Sequence, residues 1–159
     1  MTQARARLLR FPTERRAAPT FDHLLAQLPT DSSMANECLR YGLPVPDLNA
    51  LREQGIAIGM KMRRQIILPA DAGEAASKRE SWFAPVRVTM LRSITRVHDM
   101  TWRAEQTGDP QNHRAAFSAR YRAWQTCKRL IAAWDMLCLA EEDVRPSASI
   151  LTFQKKASG

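Results

Sequence analysis

Six side chains in this chain could carry proton transfer, nucleophilic attack or metal ligation: His23, His98, His113, Cys38, Cys127 and Cys138. A zinc site asks for CxxC or i,i+4 ligand spacing, and neither occurs. Cys127 and Cys138 share a helical face but stand three turns apart, about 16 Å, too far for one ion. His98 and His113 flank a turn and could meet across it, with Asp99 and Cys127 in reach. Gly55-Ile-Ala-Ile-Gly59 lacks the lysine and serine of a P-loop, and no GxSxG announces a serine nucleophile. Glu141-Glu142-Asp143 could pair carboxylates, but a solvated acidic helix end is the simpler interpretation. These patterns point to no catalysis, no metal and no cofactor.

Arginine is the residue type that remains. The 159 residues carry 24 Lys+Arg against 16 Asp+Glu, a formal charge of +8, and Arg outnumbers Lys by 19 to 5. Codon bias can exchange Lys for Arg, but it does not by itself create a net charge. Guanidinium binds phosphate and carboxylate through two parallel hydrogen bonds, which an ammonium cannot do. A surplus of this size favours polyanions: nucleic acid, an acidic protein or an anionic membrane face.

The arginines have a pattern. At 100° per residue, Arg92, Arg96, Asp99 and Arg103 fall within about 60° of one another, opposite a seam of Phe83, Met90, Ile94 and Val97. Arg114, Ser118, Arg122, Gln125 and Arg129 form a second polar stripe, away from Trp124 and Ile131. Between Arg87 and Arg129 there are nine basic residues and three acids. Arg92, Arg96, Arg103, Arg114, Arg122 and Arg129 are therefore expected to contact phosphates. A basic arm holding Arg5, Arg7, Arg10, Arg15 and Arg16 against Glu14 alone would add backbone or minor-groove contacts.

The elements that position these residues follow from punctuation and period. Residues 1–19 are broken by Pro12 and Pro19 and are expected to be extended. Thr20 caps a short helix to Leu28, and Thr30 to Ser33 starts a second that ends at Gly42. Asp47 opens the next segment, where Leu48, Leu51, Gly55, Ile58, Met62 and Ile66 trace a helical stripe to about Arg64. Strict alternation over Ile56, Ile58, Met60 and Met62 leaves a strand as the competing assignment. Residues 69–80 look like a polar connector. A long helix is expected over 81–106. Asp109-Pro110 then caps a second over 110–143, with Phe117, Trp124, Cys127, Ile131, Trp134 and Cys138 as its seam. The short connection makes these two an antiparallel hairpin. Arg120 projects onto the apolar seam, so it either pairs with an acid across the hairpin or faces a partner chain. Core is the default assignment for all four tryptophans: Trp124 and Trp134 lie on the seam, Trp102 at its margin, and Trp82 beside Phe83 at a helix entrance ahead of Pro85.

A helix–turn–helix over 34–64 would place Arg52, Lys61, Arg63 and Arg64 on a recognition helix. Its turn carries two prolines and is too long, so a generic pair of packed helices is preferred.

The expected architecture is mostly α: a basic arm (1–19), one helical domain built on the long hairpin (20–146) and an extended tail (147–159). The expected function is a non-enzymatic, nucleic-acid-associated protein binding DNA or RNA. The alternative is an adaptor or inhibitor docking on an acidic protein, with Ile150, Leu151 and Phe153 of the tail as partner-binding residues. Self-association through the hairpin is a further expectation. No apolar run reaches the roughly 20 residues of a membrane span. Three cysteines without a paired framework point to a reduced, cytoplasmic setting.

Overall fold

The computed structural model describes residues 18–139; of these, 82% are helical and none forms a strand. Five helices follow one another: α1 (Phe21–Ala26), α2 (Asp31–Tyr41), α3 (Leu48–Gln65), α4 (Ala72–Thr107) and α5 (Pro110–Cys138). Each N-terminus is capped by a side-chain oxygen, from Thr20, Thr30, Asp47, Asp71 and Asp109 in turn. Gly42 and Gly108 end α2 and α4 in the left-handed region, at φ 70° and 65°. The basic arm, Glu141-Glu142-Asp143 and the tail with Ile150, Leu151 and Phe153 lie outside the described residues.

α5 is the axis of the molecule, because all four other helices pack on it. α4 and α5 run in opposite directions along each other: Phe83 meets Trp134, and Thr101 meets Arg120. α1 seals one end of that pair with Phe21 against Phe83 and Trp134, and Leu24 is fully buried behind it. α2 contributes Met34 and Cys38 to the same core, and stacks Tyr41 on Phe117 at 4.5 Å.

Several boundaries differ from the sequence expectation. Residues 72–80 are helical, because Asp71 caps the chain, accepting from Glu74 N, and Ala75 is buried. α4 therefore starts well before Ser81 and runs through Pro85, whose ring removes one backbone donor without ending the helix. α5 stops at Cys138, not Asp143. Leu139 is extended there, and the Arg63 guanidinium donates to the carbonyls of Met136 and Leu137 at that terminus. Leu137, rather than Cys138, enters the core; Ile131 and Trp134 are half-buried and Cys138 is exposed. Trp82 and Trp102 are exposed as well, at 39% and 62%.

α3 settles the helix-or-strand question in favour of helix to Gln65. Its buried line follows the expected stripe at Leu51, Gly55, Met62 and Ile66, but Leu48 and Ile58 face solvent and Gly59 is buried in their place. The two glycines let the α3 backbone approach that of α5. A Cβ on Gly55 would stand 2.3 Å from the Arg129 carbonyl oxygen and 2.6 Å from Ala132 Cβ. On Gly59 it would stand 2.6 Å from the Ala133 carbonyl oxygen. Glycine's helix penalty, about 1 kcal/mol against Ala, is offset by close packing of small residues across the contact. α2 and α3 do not pack on each other, which removes both the helix–turn–helix and the paired-helix arrangement for 34–64. Each needs α5 instead.

In an open helix Gly→Ala would stabilise; Gly55→Ala and Gly59→Ala are expected to destabilise by about 1–3 kcal/mol each through overpacking. Urea unfolding followed by circular dichroism checks this, and a raised midpoint would contradict the close-approach account.

Candidate functional site

Helical packing sorts the basic side chains into two populations. Arg87, only 3% exposed, lies in the core with its guanidinium 4.9 Å from the Trp134 ring and 5.5 Å from that of Phe21. It donates to Glu80, while its Nε has no acceptor among the described residues. Arg120 grips Glu37 of α2 through two hydrogen bonds, at 2.6 and 3.0 Å, and donates to Thr101 Oγ1 at 3.0 Å. Its acid partner is therefore on α2, not across the α4–α5 pair, and no partner chain is needed to explain it. Lys128 pairs with Asp31 at 2.7 Å and lies over the Trp124 ring.

Arg129 also leaves the expected set. α3 packs over the C-terminal half of the α5 polar stripe, where Gly55 meets the Arg129 backbone. The Arg129 side chain is half-buried and donates to Gln54 Oε1 at 2.6 Å. Arg52, Lys61 and Arg64 are exposed on α3, whereas Arg63 works as the cap of α5.

Arg92, Arg96, Arg103, Arg114 and Arg122 are exposed and have no carboxylate partner among the described residues. Arg92, Arg96 and Arg103 occupy the solvent side of α4, opposite buried Met90, Ile94 and Val97. Arg96 and Arg122 go further and line one cleft of about 820 Å³ between α4 and α5. Met90 and Val97 form its floor, and Val86, Met100 and Leu130 are half-buried on its walls. The cleft exists because the flanks that face it carry short side chains, among them Thr89 and Ser93 on α4 and Ala119 and Ala123 on α5. Short residues facing one another between two long helices were its available signal in the sequence, which the arginine stripes alone did not disclose.

His98 and His113 line a second cleft of about 490 Å³, with Glu37, Arg40, Glu105 and Arg120. Neither Asp99 nor Cys127 joins them. His98 Nε2 donates to the Gln27 carbonyl at 2.8 Å. Among the described residues no three His, Cys, Asp or Glu side chains are grouped to hold a metal ion, and no helix is long and apolar enough to cross a membrane. No known protein family, no curated protein and no solved structure matches this chain.

Burial sets the thiols apart. It pushes Cys127 up to about 11, with Lys128 opposing weakly, and raises Cys38 with help from Glu37. Cys138 is raised too, but it is exposed. At pH 8 an aromatic disulfide reagent is expected to modify Cys138 fast, with Cys38 and Cys127 reacting only at the rate of unfolding. The unfolded thiol titrates near 8.5–9, so the proton held by folded Cys127 adds stability below that pH, and this contribution is lost between about 9 and 11. Cys127→Val should flatten the stability profile over that interval, and an unchanged slope would contradict the assignment.

Arg120→Met is expected to destabilise by about 3 kcal/mol or more, since Glu37 is left half-buried without its partner. Arg120→Met with Glu37→Leu should recover most of that loss in urea unfolding. No recovery would mean that the pair is not coupled as its geometry implies.

Proposed function

We propose that this protein is a non-enzymatic binding protein for a polyanionic macromolecule, nucleic acid being the first reading, engaged by Arg92, Arg96, Arg103, Arg114 and Arg122. One observation carries it: these five guanidinium groups are exposed on the two long neighbouring helices, without a carboxylate partner among the described residues, while Arg87, Arg120, Lys128 and Arg129 of the same helices are satisfied internally and Arg52, Lys61 and Arg64 are exposed apart from them on α3. Successive arginines on α4 lie one to two turns apart, about 6 to 11 Å, a spacing that can follow phosphates. Arg5, Arg7, Arg10, Arg15 and Arg16 would extend the contact from the arm. Asp99 dilutes the α4 face but leaves it net positive. In this reading the long α4–α5 hairpin is a rigid stage between arm and tail, and the protein acts in the cytoplasm.

A second reading, an adaptor that docks on an acidic protein, is favoured by the cleft between Arg96 and Arg122. Its aliphatic floor offers nothing to a phosphate and a good deal to an apolar side chain.

Fluorescence anisotropy with a labelled 30-nucleotide DNA, as single strand and as duplex, and the matching RNA over a salt series tests the first reading. Affinity should fall with log salt at a slope of about 4–5 on duplex from these five arginines, with roughly one further unit for each arm arginine that meets a phosphate. Arg92→Glu with Arg103→Glu should weaken binding at least tenfold at low salt. Absence of binding to every form at low ionic strength would eliminate nucleic acid as the ligand.

A further inference from the structure

Packing on the α4–α5 pair is uneven. α3 covers one side of α5, and α1 and α2 cover the side of the pair that carries Phe83, Phe117 and Trp134. The crease holding Val86, Met90, Val97 and Leu130 receives no helix of the described chain. It runs from Pro85 to Met100 along α4, about 22 Å at 1.5 Å per residue, which is the length of four helical turns. Two antiparallel helices with an apolar crease are the ordinary seat of a third helix.

Charge decides which helix. Arg96 stands on one bank and Arg122 on the other, while Arg92 and Arg103 are exposed on α4 outside the crease. A second copy of this surface, related by a two-fold axis, would set these guanidinium groups against their own kind. An amphipathic helix with aliphatic residues at i, i+3 or i+4, and i+7 and with Asp or Glu flanking them satisfies floor and banks together. A nucleic-acid strand would use the banks alone. We propose that the α4–α5 crease is the docking site for an acidic amphipathic helix of about 15 residues, supplied by a partner protein. This inference rests on the second reading, an adaptor that docks on an acidic protein, and names the element of that partner which the crease would take.

The test uses the full chain and three labelled probes in fluorescence anisotropy. The first is a synthetic 16-residue helical peptide with Leu at positions 3, 6, 10 and 13 and Glu at the flanking positions. The second replaces every Glu by Lys, and the third is a 16-nucleotide single-stranded DNA. The acidic peptide is expected to bind saturably, and the lysine peptide at least tenfold more weakly. Arg96→Glu with Arg122→Glu should weaken the acidic peptide at least tenfold. Thr126→Trp, an exposed position on the cleft wall, should block the peptide by filling the crease while leaving DNA binding within twofold. Unfolding midpoints of both variants separate lost binding from lost fold, with Ala119→Leu as a second groove-filling variant if Thr126→Trp is unstable.

Acidic-peptide binding that survives both groove-filling substitutions overturns the proposal, as does equal binding of the acidic and lysine peptides. DNA bound without the acidic peptide overturns it too, while sparing the polyanion reading. Failure of both ligands overturns the two together.

Discussion

The approach of α3 to α5 across Gly55 and Gly59 is the constraint from which the surface of this protein follows. Two missing side chains bring the backbones close enough that any Cβ there would collide with the carbonyl of Arg129 or Ala133. α3 is thereby held along one flank of α5. It buries the α5 stripe around Arg129 and carries Arg63 to the carbonyls at the end of α5. With that flank closed by α3, and Phe83 and Trp134 covered by α1, the crease beside α4 is left without a helix. The surface available for a ligand is thus the complement of a packing decision made by two glycines.

A basic composition does not distinguish a guanidinium that binds a ligand from one that builds the fold. Arg87 and Arg120 contribute to the formal charge as much as Arg96 does, yet one is clasped by aromatic rings and Glu80 and the other by Glu37 and Thr101. Planar, delocalised and weakly hydrated, guanidinium suits a stacked, half-desolvated position better than an ammonium would. In this fold arginine is a core-building residue as well as a surface one, and the binding surface is smaller than composition suggests. What remains is more focused: Arg96 and Arg122, from different helices, stand on opposite banks of one apolar crease.

Most elements were legible because their signals are local. N-caps at Thr20, Thr30, Asp47 and Asp109, stops at Gly42 and Gly108, and the seam from Phe83 to Val97 act within a turn or two of chain. The cap at Asp71 was equally local, but a run of small polar residues concealed it, and the helix expected to start at residue 81 begins a turn or more earlier and runs on through Pro85. The assignments that failed required knowledge of the opposite surface. Leu48 and Ile58 are apolar and exposed, whereas Gly55 and Gly59 are buried, because what α3 meets is a backbone rather than a side-chain groove.

The sequence alone determined that the described chain is helical, where most of its helices begin and end, and that α4 turns Arg92, Arg96 and Arg103 away from its apolar seam. Period and capping are properties of single segments. Tertiary structure decided that α5 is the common axis, that Arg129 is covered while Arg92, Arg96, Arg103, Arg114 and Arg122 stay open, and that Arg120 answers to Glu37 on another helix. It also decided that a crease exists between Arg96 and Arg122. Those outcomes depend on which faces of different helices meet, and a stripe on one helix carries no record of what will lie across from it.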